Sequence, residues 1–236
     1  MSVSLNGKSA IITGAFGTLG AATARAAVRA GARIALLDRA ATAPPGFAQE
    51  LGTSAVVLTG VNLVNLPEVT AAIGTAQQHL GAIDILINIA GTFRWQTVAD
   101  GDTATWDLLF AANLKTAVNC CHAALPFLRK SRGGRIINVG ANAARKAGAG
   151  MGAYAASKSG VHRLTESLSE ELKSEGITVN AVLPSIIDTP ANRADMPKAD
   201  PSKWVTPQAL ADVILYLASD EAQVVTGALL PVTGRV

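Results

Sequence analysis

Short apolar runs alternating with longer stretches of helical period leave few folds open to this chain. The runs lie at 8–13, 33–37, 54–59, 83–88, 135–139, 178–183 and 228–232, and helical patterns fill 19–30, 66–80, 102–130, 152–174 and 207–218. A strand buried on both faces loses the alternation of a half-exposed strand and reads as a continuous apolar run. Strands of that kind separated by helices are parallel crossover units. The expected fold is therefore α/β: a single-domain, Rossmann-type doubly wound parallel sheet with helices on both faces, spanning 1–236. Residues 39–53, with Pro44, Pro45 and Gly46, break the pattern and are expected to form a loop. Pro126 is expected to kink the 102–130 helix.

Composition agrees with one large core, since 49% of residues are hydrophobic and only 16% charged. The 20 basic and 17 acidic residues are scattered rather than striped, so no nucleic-acid partner is expected. Apolar stretches are all too short to cross a bilayer and the first residues lack a secretory apolar segment, which points to no membrane partner and a cytoplasmic location. Cys120 and Cys121 are adjacent within a helical pattern, a spacing that suits buried reduced thiols rather than a disulfide or a metal site. His79, His122 and His162 have no ligand spacing; they read as surface or helix-packing residues, and no metal is expected.

The first strand runs into Thr13-Gly14-Ala15-Phe16-Gly17-Thr18-Leu19-Gly20 and then an alanine-rich helix. Such a turn suits a dinucleotide. Gly14 permits the tight turn, Gly17 lets the backbone approach a pyrophosphate, and Gly20 lets helix and strand pack closely. The helix N-terminus adds free N–H groups and a partial positive charge. Asp38 ends the second strand, where a carboxylate accepts hydrogen bonds from both ribose hydroxyls and repels a 2′-phosphate. NAD is the expected cofactor, with NADP left open by the guanidinium of Arg39.

Tyr154 and Lys158 are four residues apart on the 152–174 helix and so share a face. A nearby ammonium stabilises phenolate, which would equip Tyr154 to exchange a proton with a carbonyl or alcohol. Spacing alone favours a solvated surface pair. Residues 184–206, polar and bounded by prolines, are expected to form a lid over a small-molecule substrate.

Five motifs in order resemble the short-chain dehydrogenase/reductases: the 13–20 turn, Leu86-Ile-Asn-Ile-Ala-Gly91, Asn113-Leu114, Tyr154-x-x-x-Lys158 and Asn180-Ala-Val-Leu-Pro184. The resemblance implies that Tyr154 donates or accepts the proton, that Lys158 lowers its pKa and holds the nicotinamide ribose, and that Asn113 steadies a relay water. It places Asn88, Ala90 and Gly91 along the adenosine side and Ile187 and Thr189, after Pro184, at the carboxamide. Phe16, Thr18 and Leu19 of the turn, with Asn62 and Leu63 after the third strand, complete the implied cofactor surface. The 102–130 and 152–174 helices pair between subunits in such proteins, which implies a homodimer or homotetramer.

The chain also departs from the family pattern. Ala141 stands thirteen residues before Tyr154, where the family usually has a serine that hydrogen-bonds the developing oxyanion. Asn142 is the nearest polar substitute. Thr18 replaces a usual glycine and Asn62 a usual aspartate. The alanine, the glycine spacing and the 183–207 segment resemble the dihydropteridine reductase-like branch, whose quinonoid substrate is an activated acceptor. Trp95 or Phe93 could then supply an aromatic shelf. Three functions follow: an NADH-dependent reductase of such an acceptor, a broad carbonyl or alcohol dehydrogenase of the same family, and a dinucleotide-sensing protein without catalysis.

Overall fold

A computed structural model describes residues 3–131 and 133–236. Seven parallel strands form one sheet: β1 (Ser9–Thr13), β2 (Arg33–Leu37), β3 (Ala55–Leu58), β4 (Ile85–Asn88), β5 (Arg135–Val139), β6 (Thr178–Pro184) and β7 (Leu229–Val232), in the order β3-β2-β1-β4-β5-β6-β7. The expected doubly wound sheet is what forms. Strands β1, β4, β5 and β6 are buried along their whole length, which is why they read as unbroken apolar runs.

Helices cover both faces. On one side α1 (Thr18–Arg29) and α8 (Pro207–Ala218) pack against each other and against Ile12, Ile34, Ile87 and Val182. On the other, α3 (Leu66–Leu80), α5 (Thr116–Leu128) and α6 (Gly152–Leu172) bury Ile11, Leu86, Ile136 and Val179. Alternate strand residues serve alternate layers, as the two-residue pleat requires. Strand order reverses between β1 and β4, the switch point beside which doubly wound sheets bind ligands at the strands' carboxyl ends.

Two local expectations are corrected. Residues 39–53 are not all loop, because Phe47 and Leu51 are buried and fold the short helix α2 (Phe47–Leu51) against the α1 layer. The 102–130 segment is not one helix but is interrupted at a π turn, Phe110–Lys115, between α4 (Thr103–Leu109) and α5. Pro126 falls in the last turn of α5, which runs on to Leu128.

Within 184–206 the far end is anchored. Trp204 and Val205 are buried, and Val205 exchanges hydrogen bonds with Ile186 and Asp188 on the near side. Between these tethers a short helix, α7 (Pro190–Asp195), is N-capped by the Thr189 hydroxyl and held by Asn192 to the Ile187 carbonyl. No helix among the described residues is long and apolar enough to cross a membrane.

Candidate active site

Because every strand is parallel, the residues that follow β1, β2, β4, β5 and β6 converge on one edge of the sheet. Thr13 ties two of these strand ends together: its hydroxyl accepts the N–H groups of Ile89 and Ala90 at 3.1 and 3.2 Å. Gly14 has φ +63°, and a Cβ there would lie 2.8 Å from the Ala90 backbone, so this crossing admits only glycine. At Gly20 a Cβ would run into the Gly14 carbonyl oxygen and come within 2.7 Å of Ala15 Cα. Gly17 caps α1 without a side-chain bond, and the N–H groups of Thr18, Leu19 and Gly20 meet no acceptor among the described residues. Together these make a bare, donor-rich helix N-terminus suited to a pyrophosphate.

Asp38 is half-buried at the end of β2. Its carboxylate accepts the N–H of Phe16 in the glycine turn at 3.0 Å and that of Ala40 at 3.0 Å, so it braces the turn and lies within a residue's reach of the helix N-terminus. Arg39 is exposed. Phe16 packs edge-on against Phe47 with ring centroids 6.2 Å apart, and Arg25 lies over the Phe47 ring. Asn62 is exposed and bonds its own loop through the Val64 N–H, while the Leu63 carbonyl is held by Asn119 of α5.

The amide of Asn88, which the resemblance implies lies along the adenosine side of the cofactor, leaves its Oδ1 without a hydrogen-bond partner among the described residues. It is buried and donates sideways to Asn138 Oδ1 on β5 at 2.9 Å and to Cys121 Sγ at 3.4 Å. Asn88 pairs in register with Thr13 on one side and Asn138 on the other. Only the backbone after it, at Ala90 and Gly91, borders the strand-end groove.

Asn113 sits in the π turn and is 1% exposed. Its Oδ1 accepts the Thr92 N–H at 2.7 Å and its Nδ2 donates to Ser157 Oγ at 2.9 Å, while Ser157 donates to the Tyr154 carbonyl at 2.8 Å. The side chain thus clamps the loop after β4 to the turn of α6 that carries Tyr154 and Lys158. Extra-residue turns of this kind are frequent at functional sites because they re-aim a side chain without ending the helix.

Lys158 is buried and donates to the Val139 carbonyl at 2.7 Å; burial lowers it from 10.5 to about 8. Tyr154 is pushed by burial from 10.0 up to about 12. The expected lowering of the tyrosine by the lysine is therefore not what this state of the protein shows: Lys158 points its proton at a carbonyl, and desolvation is the dominant influence on Tyr154. Between about pH 8 and 10.5 the unfolded chain holds a lysine proton that the fold has released, so Lys158 makes stability rise with pH across that window. Tyr154 acts in the opposite sense from 10.0 to about 12. Lys158→Met is expected to remove the rise, which denaturant melts of both proteins at pH 8 and pH 9.5 would read; parallel pH dependences would show that Lys158 is not the group responsible.

Phe93 stands with its ring edge-on to Tyr154, centroids 5.0 Å apart, and is 43% exposed. Trp95, 61% exposed, is instead turned to the 149–150 loop, where its indole N–H donates to the Ala149 carbonyl at 3.0 Å. Of the two aromatics after Gly91, Phe93 is the one that touches the tyrosine. Ala141 is buried at the end of β5 and its N–H is directed to His162 Nε2 at 3.4 Å. Asn142 begins a single 3-10 turn, half-buried, with no side-chain hydrogen bond among the described residues. The π turn, the Asn113–Ser157 clamp and the His162 contact were not foreseen.

A family model for the short chain dehydrogenases matches residues 8–200. The chain belongs to that family. Among curated short-chain relatives, 3-oxoacyl-(acyl-carrier-protein) reductase FabG of Vibrio harveyi is 32% identical, with 98% of each chain covered. The 2-(S)-hydroxypropyl-CoM dehydrogenase 3 of Xanthobacter autotrophicus is 31% identical over 99% of this chain and 98% of its own. A carveol dehydrogenase from Mycobacterium avium, solved in complex with NAD, superposes with a TM-score of 0.88 at 25% identity and 98% coverage of both chains. As a short chain dehydrogenase the protein is a nicotinamide-dependent oxidoreductase with the fold of these enzymes.

Proposed function

We propose that this short chain dehydrogenase is an NADH-dependent reductase of an activated acceptor, of which a quinonoid dihydropterin is the model, with Tyr154 as the proton donor. The observation that carries the reading is Ala141: the strand end that would present a polarising hydroxyl has only a methyl group, and its N–H is turned to His162. Loss of an oxyanion donor costs roughly 2.7–4 kcal/mol of transition-state stabilisation, which an electron-poor ring tolerates better than a ketone. Phe93, half-exposed against Tyr154, gives a flat ring an apolar edge to lie on.

The bare N-terminus of α1 suits the pyrophosphate and the Asp38 carboxylate favours NAD over NADP, with Lys158, Ile187 and Thr189 on the nicotinamide side. Bound NADH supplies the hydride. The chain's own part is to hold the acceptor beside Tyr154, move the phenolic proton onto the reduced nitrogen or oxygen, and exclude water with the segment between Pro184 and Thr206. The exposed apolar side chains Phe110 and Val118, on the π turn and α5, support pairing of two chains through these helices.

A second reading, a broad carbonyl or alcohol dehydrogenase, is favoured by the relatives, whose names describe a 3-oxoacyl group, a hydroxypropyl group and carveol. Following NADH absorbance with a quinonoid dihydropterin and a ketone panel separates the two. Turnover of ketones but not of the pterin would overturn the first reading, and NADH binding without turnover of either would favour a dinucleotide sensor. Ala141→Ser is expected to raise ketone kcat by about a hundredfold by restoring the donor. An unchanged ketone rate would mean that the site polarises its substrate by another group.

A further inference from the structure

A second cavity, of about 620 Å³, lies along α6 on the flank of Ser159 and Arg163, which are roughly 140° and 180° around the helix from Tyr154. Its apolar surface is Leu183 of β6 with Leu229 and Pro231 of β7. Helix α6 packs on β5 and β6, and the two β7 side chains extend beyond it. The volume is within the ordinary range for small-molecule sites.

The polar wall is one-sided in charge. Arg145, His162 and Arg163 line it and no carboxylate does. Arg163 shares Glu166 at 2.7 Å, and Arg145 has no acidic partner among the described residues. His162 is 4% exposed and is seated closely, since a Cβ at Gly140 would lie 2.6 Å from its Nε2. That nitrogen accepts the Ala141 N–H, so the neutral ring carries its proton on Nδ1. Nδ1 meets no acceptor among the described residues. Burial, with Arg163, Lys158 and Arg145 nearby, pushes the imidazole down to about 4, so it is an uncharged donor at neutral pH in a field of cations.

We propose that this groove binds an amphipathic carboxylic acid, its apolar body on Leu183, Leu229 and Pro231 and its carboxylate among Arg145, Arg163 and the Nδ1–H of His162. Apolar floor, cationic rim and an imidazole donor without a partner are what such a ligand satisfies together, and a bare inorganic anion or a neutral lipid satisfies only in part. The site is separate from the Tyr154 groove and does not rest on which acceptor that groove reduces.

Calorimetric titration of the intact protein with octanoate, octanol and inorganic phosphate tests it. Octanoate is expected to bind one molecule per chain, at least about tenfold more tightly than octanol or phosphate, and to lose about tenfold in the surface variant Arg145→Gln. His162→Phe is expected to weaken octanoate as well, with circular dichroism and melting used to confirm that this buried variant folds. Octanol binding as tightly as octanoate, phosphate binding as tightly, or Arg145→Gln binding octanoate normally would each overturn the proposal. So would a dissociation constant that climbs as NADH is added, which would put octanoate in the cofactor groove. Absence of octanoate binding in a protein that Arg145→Glu converts from oligomer to monomer would assign the groove to contact between copies and overturn it too.

Discussion

Tyr154→Phe is expected to leave NADH binding within about twofold of the parent while lowering kcat by roughly 10²–10⁴, the usual worth of a positioned general acid. The substitution removes one oxygen from a ring whose packing against Phe93 is otherwise kept. Fluorescence titration of NADH and steady-state rates with the best acceptor read the two quantities separately. A variant that turned over at the parent rate would take the proton chemistry away from Tyr154. The ligand-free protein sharpens this expectation. With burial pushing Tyr154 up to about 12, the phenol is fully protonated at neutral pH, the form required for donation to a reduced acceptor.

The second large effect is expected from Gly20→Ala. The added methyl meets the Gly14 carbonyl and Ala15 Cα, both backbone and both held by the turn, so no side-chain rotation relieves the contact. Overpacking a rigid contact of this kind costs about 3 kcal/mol, and at this chain length about 1 kcal/mol moves Tm by roughly 2–4 °C, so a drop of roughly 6–12 °C is expected. The same displacement opens the helix N-terminus on which the pyrophosphate would rest. NADH affinity should therefore fall together with Tm, whereas Gly7→Ala, at a glycine with open space around it, should change neither beyond the strain of its positive φ. A Gly20→Ala protein that melted and bound like the parent would mean that α1 can move off the turn.

Much of the framework could be read in the chain because it depends on local rules. Seven apolar runs without alternation demanded a sheet covered on both faces, and the glycines after the first run announced a close helix–strand crossing. Asp38 and the Tyr154–Lys158 pair followed from position within that framework. What escaped was set by contacts between distant segments. No residue pattern marks an i→i+5 turn, so the sequence of Phe110–Lys115 reads as plain helix. The buried Asn88 amide could equally have faced the groove or the sheet interior until Asn138 and Cys121 were seen to receive it. Phe93 and Trp95 are two residues apart in an irregular stretch, and only the Ala149 carbonyl, far along the chain, decides which of them leaves Tyr154. His162 passed as packing because its partner is a backbone N–H twenty-one residues earlier.

The π turn also sets how this protein can vary. One extra residue in a helical repeat advances everything beyond it by roughly 100°. Upstream of the turn, the helix is phased so that Leu109 faces inward; downstream, Cys120, Cys121, Ala124 and Leu128 do so, and Asn113 sits at the seam. The seam decouples two rotational settings within one continuous rod. Deleting a single residue between 110 and 115 would restore plain helix with both stripes still facing inward, and would cost the amide clamp that joins the loop after β4 to the catalytic helix.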